Sequence, residues 1–319
     1  MTRALRVENI DEAARCVDAA FLNSPQVVDA SMTGRIGREL ILKLETFNPV
    51  RSFKGRGADF FMRSVGPGTQ AVCASAGNFG QAVAYAARAR GIRATVFCAE
   101  NANPVKVARI RDLGAQVRLG GTDFDVAKDA ARAYAAGGEG RLFVEDGHEP
   151  RISEGAGTIA AELAPLQPDL IFVPVGNGAL ISGIGCWMKA RSPGTRIVGV
   201  CAAGAPAMAE SWRHGSLVTS AEVTTIADGV AVRVPIPAAL EWMSEFVDDM
   251  ILIDDAQLRE ALRIARDTIG LILEPSGALG IAAALQHRAP DRKPAAIVTG
   301  SNFSADLLAE LTTESSQRG

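Results

Sequence analysis

The chain has 319 residues, of which 48% are hydrophobic and 22% are charged. Its 33 Lys and Arg residues and 36 Asp and Glu residues give a net charge of −3, which argues against a nucleic acid or a membrane surface as the main partner. The hydrophobic content excludes general disorder, and the length suggests about two structural units of roughly 150 residues each.

The cysteines and the N-terminus predict a reducing, cytoplasmic compartment. The five cysteines form no CxxC pair and lie largely in apolar runs, which is typical of small buried side chains. Asp11 and Glu12 follow a charged N-terminal stretch that lacks the apolar core of a signal peptide. The uncharged stretch 170–188 contains Pro174 and four glycines, so we interpret it as a strand, a turn and a helix start and not as a membrane span.

From residue 71 onward, short apolar runs alternate with segments of helical period. This alternation is typical of βαβ units and a parallel sheet. Helices are predicted over 82–90 and over 105–113, the second beginning after Pro104, and a long amphipathic helix is predicted from a cap at Asp254 to about Ile269. The predicted strands are 71–75, 94–98, 116–119, 142–144, 170–173, 197–200 and 296–299.

This pattern predicts an α/β protein of two domains, each an open, mostly parallel twisted sheet flanked by helices. No polar linker or internal repeat separates two halves, so we expect the chain to leave one sheet and return to it. Turn residues predict the two crossings at 66–68 and 146–150. A large domain would then comprise 1–67 and 148–319, and a small one 68–147.

Lys54 is the first candidate for chemistry. It lies in the sequence Ser-Phe-Lys-Gly-Arg-Gly, between Phe53 and a Gly-x-Gly, immediately before an apolar helix. Desolvation lowers the pKa of an amine, and an unprotonated lysine can form an imine with a carbonyl group. For a lysine considered alone, a solvated surface position is the alternative.

Small polar residues precede the helix predicted over 82–90. Ser75, Ala76, Gly77 and Asn78 follow a strand, so free backbone N–H groups and the helix dipole could form an anion site there, suited to a carboxylate. A plain N-cap turn, in which Ser75 or Asn78 only caps the helix, is the alternative.

A second glycine-rich turn follows the strand at 170–173. Gly176, Asn177 and Gly178 would let the backbone wrap a phosphate while the positive end of the next helix faces it. The segment is neither a Walker A loop nor a dinucleotide fingerprint, and a simple tight turn is the alternative. Thr299, at the end of the last predicted strand, faces the crevice where α/β proteins bind ligands.

These four segments, in this order, resemble the fold type II pyridoxal-phosphate enzymes, the family of the threonine and serine dehydratases, serine racemase, threonine synthase and cysteine synthase. The resemblance extends from about Leu42 to Asn302, and the stretches 154–155, 225–231 and 274–280 also match it. The threonine/serine dehydratases are the most similar subgroup. The resemblance implies a tryptophan synthase β-like fold and pyridoxal 5'-phosphate (PLP) as the cofactor.

The resemblance also implies a role for each matching residue. Lys54 would hold the cofactor in a Schiff base and act as the acid and base at Cα, and Phe53 would pack on the pyridine ring. Asn78 would hydrogen-bond the ring's 3-hydroxyl, and Thr299 would face the pyridine nitrogen. The phosphate-binding positions are Gly176, Asn177, Gly178, Ala179 and Leu180, and the positions for the substrate carboxylate are Ser75, Ala76 and Gly77.

The 32 glycines, about 10% of the chain against a usual ~7%, are a compositional surplus that this resemblance would explain. Turns at 55–57, 77–80 and 176–178 would bring backbone against the cofactor ring, the substrate carboxylate and the phosphate. Most other glycines are expected at helix ends.

Several positions depart from the dehydratase pattern. The phosphate loop reads Gly-Asn-Gly-Ala instead of four glycines, which with Thr299 is similar to threonine synthase, and Phe79 replaces a His. Ala76 occupies the position of the second catalytic serine of serine racemases, which disfavours racemisation. Some relatives carry a metal-binding Glu after the strand at 197–200, but this chain continues Cys201-Ala-Ala-Gly, so we predict no metal site.

The predicted function is PLP-dependent α,β-elimination from a small β-hydroxy amino acid, such as L-threonine or L-serine, to a 2-oxo acid and ammonia. A hydroxyl at Thr299 does not enforce a protonated ring nitrogen, and this favours elimination over transamination. The enzyme alternative is β- or γ-replacement of the threonine synthase or cysteine synthase type. The alternative from another class is a non-catalytic α/β protein that binds a nucleotide or an amino acid through the same loops.

The substrate's side chain is expected to contact the segments 122–125, 147–152 and 231–237. Arg151 and Arg233 could receive an acidic side chain, although exposed surface arginines are the alternative. Because the chain ends soon after Asn302, we expect no C-terminal regulatory domain and a stand-alone catalytic homodimer. A small-molecule amino acid is the expected partner, with neither nucleic acid nor membrane.

Overall fold

The computed structural model of the chain describes residues 4–287 and 293–313. The expectations about the two chain ends therefore fall partly outside the described residues, at 1–3 and 314–319. The helices, in chain order, are α1 (Val7–Cys16), α2 (Ala30–Ile36), α3 (Lys54–Met62), α4 (Asn78–Arg88), α5 (Pro104–Asp112), α6 (Phe124–Ala136), α7 (Pro150–Leu163), α8 (Ala179–Arg191), α9 (Ala207–His214), α10 (Pro237–Phe246), α11 (Asp255–Ile269), α12 (Pro275–Gln286) and α13 (Ala305–Thr313). The strands are β1 (Gln26–Val27), β2 (Ile41–Leu44), β3 (Gln70–Ala74), β4 (Arg93–Cys98), β5 (Gln116–Leu119), β6 (Arg141–Phe143), β7 (Leu170–Pro174), β8 (Arg196–Ala202), β9 (Asp249–Ile253) and β10 (Pro294–Val298).

The described strands form two sheets. The larger sheet has the order β1-β2-β10-β7-β8-β9, and within it β1 runs antiparallel to β2 while the other neighbours are parallel. The smaller sheet has the order β5-β4-β3-β6 and its pairs are parallel. This arrangement confirms the predicted α/β fold with two mostly parallel sheets.

Helices cover both faces of the larger sheet, which explains why its central strands β7 and β10 are apolar and fully buried. Every residue of β7 is buried. Ile171 and Val173 pack into the core with α7 and α8, whereas Leu170 and Phe172 pack on the opposite face with α11 and α12. Alternate side chains of a strand point to opposite faces, so one short run of sequence contributes to two cores.

The seven predicted strands are confirmed, with ends that differ by at most two residues. The predicted cap of α11 is also confirmed: Asp254 accepts a hydrogen bond from the backbone N–H of Gln257 at 2.8 Å, and the Gln257 side chain accepts one from Asp254. Strands β1, β2 and β9 were not predicted. In β2 the charged residue Lys43 interrupts the apolar run, and it is fully buried because it pairs with Glu162.

The expectation that Gly55 and Gly57 form a turn against a ligand is wrong. Both residues belong to α3 and are buried. A Cβ at Gly55 would overlap the ring of Phe21, and one at Gly57 would overlap the carbonyl of Ile152 in α7. These glycines therefore let α3 pack closely on its neighbours, a requirement that a Gly-x-Gly pattern does not distinguish from a turn.

The smaller sheet is built from residues between Gln70 and Phe143, which lies within the predicted small domain. The division at 67/68 and 147/148 itself stays a prediction. None of the described helices is both long and apolar enough to cross a membrane.

Candidate active site

A cavity of about 780 Å³ lies at the carboxyl ends of β3, β7 and β10, and strands of both sheets therefore contribute to its wall. Ligands of open α/β sheets bind at this edge, because connections leave the strands there and expose helix N-termini. The structure brings the predicted site residues together in the wall of this cavity: Phe53, Lys54, Ser75, Ala76, Gly77, Asn78, Gly176, Asn177, Gly178, Ala179, Leu180 and Thr299.

Lys54 is the first residue of α3 and lines the cavity. The Nζ atom forms an ion pair with Asp146 and lies 4.6 Å from the centroid of the Phe53 ring. The Lys54 side chain is 15% exposed, so it is not a freely solvated surface lysine. The sequence places Asp146 only in a domain crossing, and 92 positions separate the pair, so no local pattern could have identified this contact.

The turn between β7 and α8 presents a row of backbone amides. Among the residues that the structure describes, none accepts a hydrogen bond from the amides of 176–180. Gly178 adopts φ +87°, and its amide and those of the first turn of α8 have no intrahelical acceptor. The turn thus offers several donors and the positive end of a 13-residue helix to one anion, without any basic side chain.

Asn78 lies in a chain of polar side chains that continues away from the cavity. Its Nδ2 donates to Oε1 of Glu274 at 2.6 Å, and its Oδ1 accepts from Asn302 at 2.8 Å. Arg109 in turn donates to Asn302 at 2.7 Å. Glu274 belongs to the motif at 274–280, which by itself indicates no function for this residue.

Glu274 is a buried carboxyl group in the cavity wall, 3% exposed. Burial raises the pKa of Glu274 to about 7, the nearby negative charge of Asp228 adds to this rise, and the hydrogen bond from Asn78 opposes it. The side chain therefore exchanges its proton near neutral pH.

This raised pKa predicts a pH-dependent stability. Below about pH 4.5, Glu274 is protonated in both the folded and the unfolded chain; between 4.5 and about 7 only the unfolded chain releases the proton, so the folded state is progressively destabilised. We expect Glu274→Gln, which does not titrate, to gain stability relative to the wild type as the pH rises from 5 to 8, by up to roughly 3 kcal/mol. Denaturant titrations of both proteins at the two pH values measure the difference.

The control is Glu222→Gln, since Glu222 is an exposed carboxylate of the same cavity wall. For this variant the difference from the wild type should be independent of pH. An equally flat difference for Glu274→Gln would contradict the assigned burial effect.

The hydroxyl groups of Ser75 and Thr299 both form hydrogen bonds with backbone groups. Ser75 Oγ accepts from the backbone N–H of Gly77 at 3.2 Å, while Gly77 is the N-cap of α4 and supplies no side chain to it. No side chain of the described residues caps α4, so the amides of its first turn are available to a ligand. The alternative of a plain N-cap turn, in which a side chain bonds to these amides, does not apply. Thr299 Oγ1 donates to the carbonyl of Ser276 at 3.2 Å and is buried.

The expectation about which segments shape the side-chain pocket is partly wrong. Residues 123–125 and 231–234 line the cavity, but 147–152 do not. Gly147 adopts φ +85° and packs on Asn177, behind the cavity wall. Arg151 stacks 3.8 Å from the ring centroid of Phe60 outside the cavity, and Arg233 lines the cavity but pairs with Asp125.

Metal ligands do not cluster in this structure. Within residues 4–287 and 293–313, no three His, Cys, Asp or Glu side chains come together in a group that could hold a metal ion. The free cysteines of the described chain are mostly buried, and burial raises the pKa of the Cys73 and Cys201 thiols.

The chain is similar to known proteins over nearly its whole length. The family model described as pyridoxal-phosphate dependent enzyme matches residues 21–300. The L-threonine ammonia-lyase of Thermotoga maritima is 32% identical over 310 residues, which covers 95% of this chain and 77% of that protein. The L-threonine ammonia-lyase of Geobacter sulfurreducens is 34% identical over 281 residues, covering 86% and 70%.

Solved structures show the same architecture. Maize serine racemase superposes with a TM-score of 0.88 at 28% identity, covering 99% of both chains. The processed form of threonine deaminase isoform 2 from Solanum lycopersicum also superposes with a TM-score of 0.88 at 28% identity, covering 98% of this chain and 95% of that one.

Proposed function

The chain belongs to the pyridoxal-phosphate dependent enzyme family, and we propose that it is an ammonia-lyase that eliminates water from L-threonine or L-serine to yield a 2-oxo acid and ammonia. The observation that carries the proposal is the shared cavity of Lys54 and the amide row at the start of α8. An amine that can bind an aldehyde and a cradle that can bind a phosphate are the two fixed requirements of this cofactor.

The residues present fit PLP. The amides of 176–180, which lack acceptors in the described chain, would bind its phosphate, and Lys54 would hold it covalently. Phe53, Asn78 and Thr299 would contact its ring. When bound, the cofactor supplies an electron-withdrawing ring that acidifies the Cα–H bond of an attached amino acid.

The chain's own groups would then perform the proton transfers. The Lys54 amine, released when substrate takes its place, is the base within reach of Cα, and Asp146 stabilises the ammonium that results. The turn of Ser75, Ala76 and Gly77, before the uncapped amides of α4, would bind the substrate carboxylate. The methyl group of Ala76 has no acidic proton, so this position cannot supply the second proton donor that racemisation needs, and we do not propose that reaction.

A direct assay tests this function. The holoenzyme is incubated with L-threonine or L-serine alone, and 2-oxo acid and ammonia are measured; both are expected in equal amounts. Product that forms only with a second nucleophile or a phosphorylated substrate would instead establish the replacement reaction, which the Asn177-containing loop favours. Failure to bind PLP at all would favour a non-catalytic binding protein.

Gly178 gives a test of the phosphate site. Gly178→Ala would place a Cβ 2.8 Å from Cβ of Ala239 and force a non-glycine residue to keep φ +87°. We expect the Kd for PLP to rise at least about tenfold, because such backbone strain costs about 1–3 kcal/mol. Fluorescence titration of the cofactor-free protein with PLP measures the change.

Gly215→Ala is the matched control for Gly178→Ala. Gly215 also has a positive φ, +66°, but a Cβ there would meet nothing within 4 Å, and the residue ends α9 away from the cavity. Its variant should bind PLP like the wild type. Equal weakening in both variants would mean that the loss is global and that the phosphate site is misassigned.

We further propose a cytoplasmic homodimer. The cytoplasmic location is supported by cysteines that are not paired in the described chain. The homodimer is supported by large exposed apolar side chains such as Phe47, 60% exposed, which a second copy would cover. Analytical ultracentrifugation of the holoenzyme tests the dimer, and a single species of one chain's mass would exclude it.

A further inference from the structure

Asp146 is a buried carboxylate of the cavity wall, and one of its two oxygens lacks a hydrogen-bond donor among the described residues. Its side chain is 8% exposed, and Oδ2 pairs with the Lys54 amine. Oδ1 is buried, yet in the part of the chain that the structure describes it has no hydrogen-bond partner. Because a buried acceptor without a donor costs free energy, the carboxylate favours a neighbouring hydrogen-bond donor, which an occupant of the cavity can supply at Oδ2 when the Lys54 amine no longer does.

The charges of the cavity wall favour the same kind of occupant. Its basic side chains other than Lys54 are each neutralised by an acidic partner in the described structure: Lys106 by Asp228, Lys128 by Glu145 and Arg233 by Asp125. Acidic groups of the wall exceed the basic ones, since Asp123 and Glu222 line it as well and form no ion pair among the described residues. An anionic side chain would therefore meet no free cation there and an unneutralised carboxylate instead.

The position of Asp146 relative to the reacting atoms rests on the proposed function. In that reaction the Lys54 amine takes the Cα proton, so Cα must lie within hydrogen-bond reach of Nζ. Asp146 contacts the same nitrogen atom. Since the substrate carboxylate is expected at residues 75–77, the substituent on Cβ, two bonds from Cα, is the part of the substrate left to reach Asp146.

We infer that Asp146 is the specificity-determining residue for the β-substituent: it selects substrates whose Cβ carries a hydrogen-bond donor, a hydroxyl or an ammonium group, and rejects those with a β-phosphate or β-carboxylate. A further activity follows, namely elimination of ammonia from L-2,3-diaminopropionate. Lys54 takes the Cα proton, and the electron pair of the former Cα–H bond forms the Cα–Cβ double bond. The Cβ–N bond breaks with its electrons on nitrogen, so the ammonium group leaves as neutral ammonia. Hydrolysis of the released enamine gives pyruvate and a second ammonia.

Three substrates with one common keto product test the inference. L-serine, L-2,3-diaminopropionate and O-phospho-L-serine differ only in the leaving group, and each yields pyruvate. For the wild-type holoenzyme we expect kcat/KM for O-phospho-L-serine to be at least about tenfold below the values for the other two. In Asp146→Asn, which keeps the shape and removes the charge, the ratio of diaminopropionate to phosphoserine kcat/KM should fall at least about tenfold.

The control is Glu222→Gln, which removes one negative charge from an exposed position of the same wall. It should change the ratio less than about threefold, because solvent screens an exposed charge. Equal falls in both variants, or an unchanged ratio in Asp146→Asn, would overturn the inference. If the wild type is inactive with all three substrates and also with threonine, it is the proposed function that fails. The two failures are therefore distinguishable.

A binding measurement on the wild type keeps the inference testable should Asp146→Asn fail to fold. Calorimetric titration of the holoenzyme should give a Kd for O-phospho-L-serine at least about tenfold higher than for L-serine. Tighter binding of the phosphorylated amino acid would overturn the inference.

Borohydride reduction and mass spectrometry of Asp146→Asn should show PLP still attached to Lys54, which confirms that a changed ratio is not a loss of cofactor.

Discussion

Replacing Lys54 by alanine is expected to abolish covalent attachment of PLP and to lower kcat/KM for the lyase reaction by at least about 10³-fold. The reason is that one amine serves both as the attachment point and as the base at Cα. It lies at the start of α3, in contact with Asp146 and 4.6 Å from the Phe53 ring centroid, whereas the other lysines of the cavity wall, Lys106 and Lys128, pair with Asp228 and Glu145. The measurements are the visible absorption of the holoenzyme and the mass of the borohydride-reduced protein.

Lys106→Ala is the matched control for this experiment. Lys106 lines the same cavity, is also 15% exposed and also pairs with an aspartate, Asp228. If Lys54 is the attachment residue, the Lys106 variant should retain the PLP adduct. Recovery of the adduct in Lys54→Ala, or its loss in Lys106→Ala alone, would contradict the assignment.

The second large effect is expected at Arg56, whose guanidinium is fully buried. It donates to Glu45 at 2.8 and 2.9 Å, to Glu162 at 2.6 and 2.9 Å and to Thr158 at 2.9 Å. Lys43 completes the cluster by its ion pair with Glu162. Two cations and two anions are thus enclosed between β2, α3 and α7.

Arg56→Leu should lower the free energy of unfolding by about 3–5 kcal/mol. Removal of one partner from a buried cluster leaves an uncompensated charge, here the carboxylate of Glu45, which has no exposed surface. Urea titration measures the loss. Arg56→Lys, which keeps the charge but not the paired hydrogen bonds, should lose less.

Arg93→Leu is the control for the arginine cluster, because Arg93 is an exposed residue at the start of β4. Its change in unfolding free energy should stay within about 0.5 kcal/mol. A loss below about 1 kcal/mol for Arg56→Leu would mean that water or relaxation of the chain compensates Glu45, and that the cluster contributes little to stability.

The sequence by itself determined the class of fold, the positions of seven of the ten described strands and the candidate cofactor residues. Strands such as β7 and β10 are apolar because both their faces are covered, and this pattern is local, so it can be read along the chain. Lys54 and the turn at 176–178 could be found for a similar reason: each motif is contiguous and lies at the junction of a strand or a helix. The structure places both in one cavity.

Only the tertiary structure decided which distant residues complete the site and which glycines serve packing. Asp146 meets Lys54 across 92 positions, and Glu274 meets Asn78 across 196. A charged residue in a sequence has the same appearance whether it is solvated or buried against a partner, so Asp146, Glu274 and Arg56 carry no local mark of their environment. Gly55 and Gly57 show the same limit, since what a glycine accommodates is set by the element packed against it. Burial and pairing are properties of contacts between distant segments, and they exist only once the chain has folded.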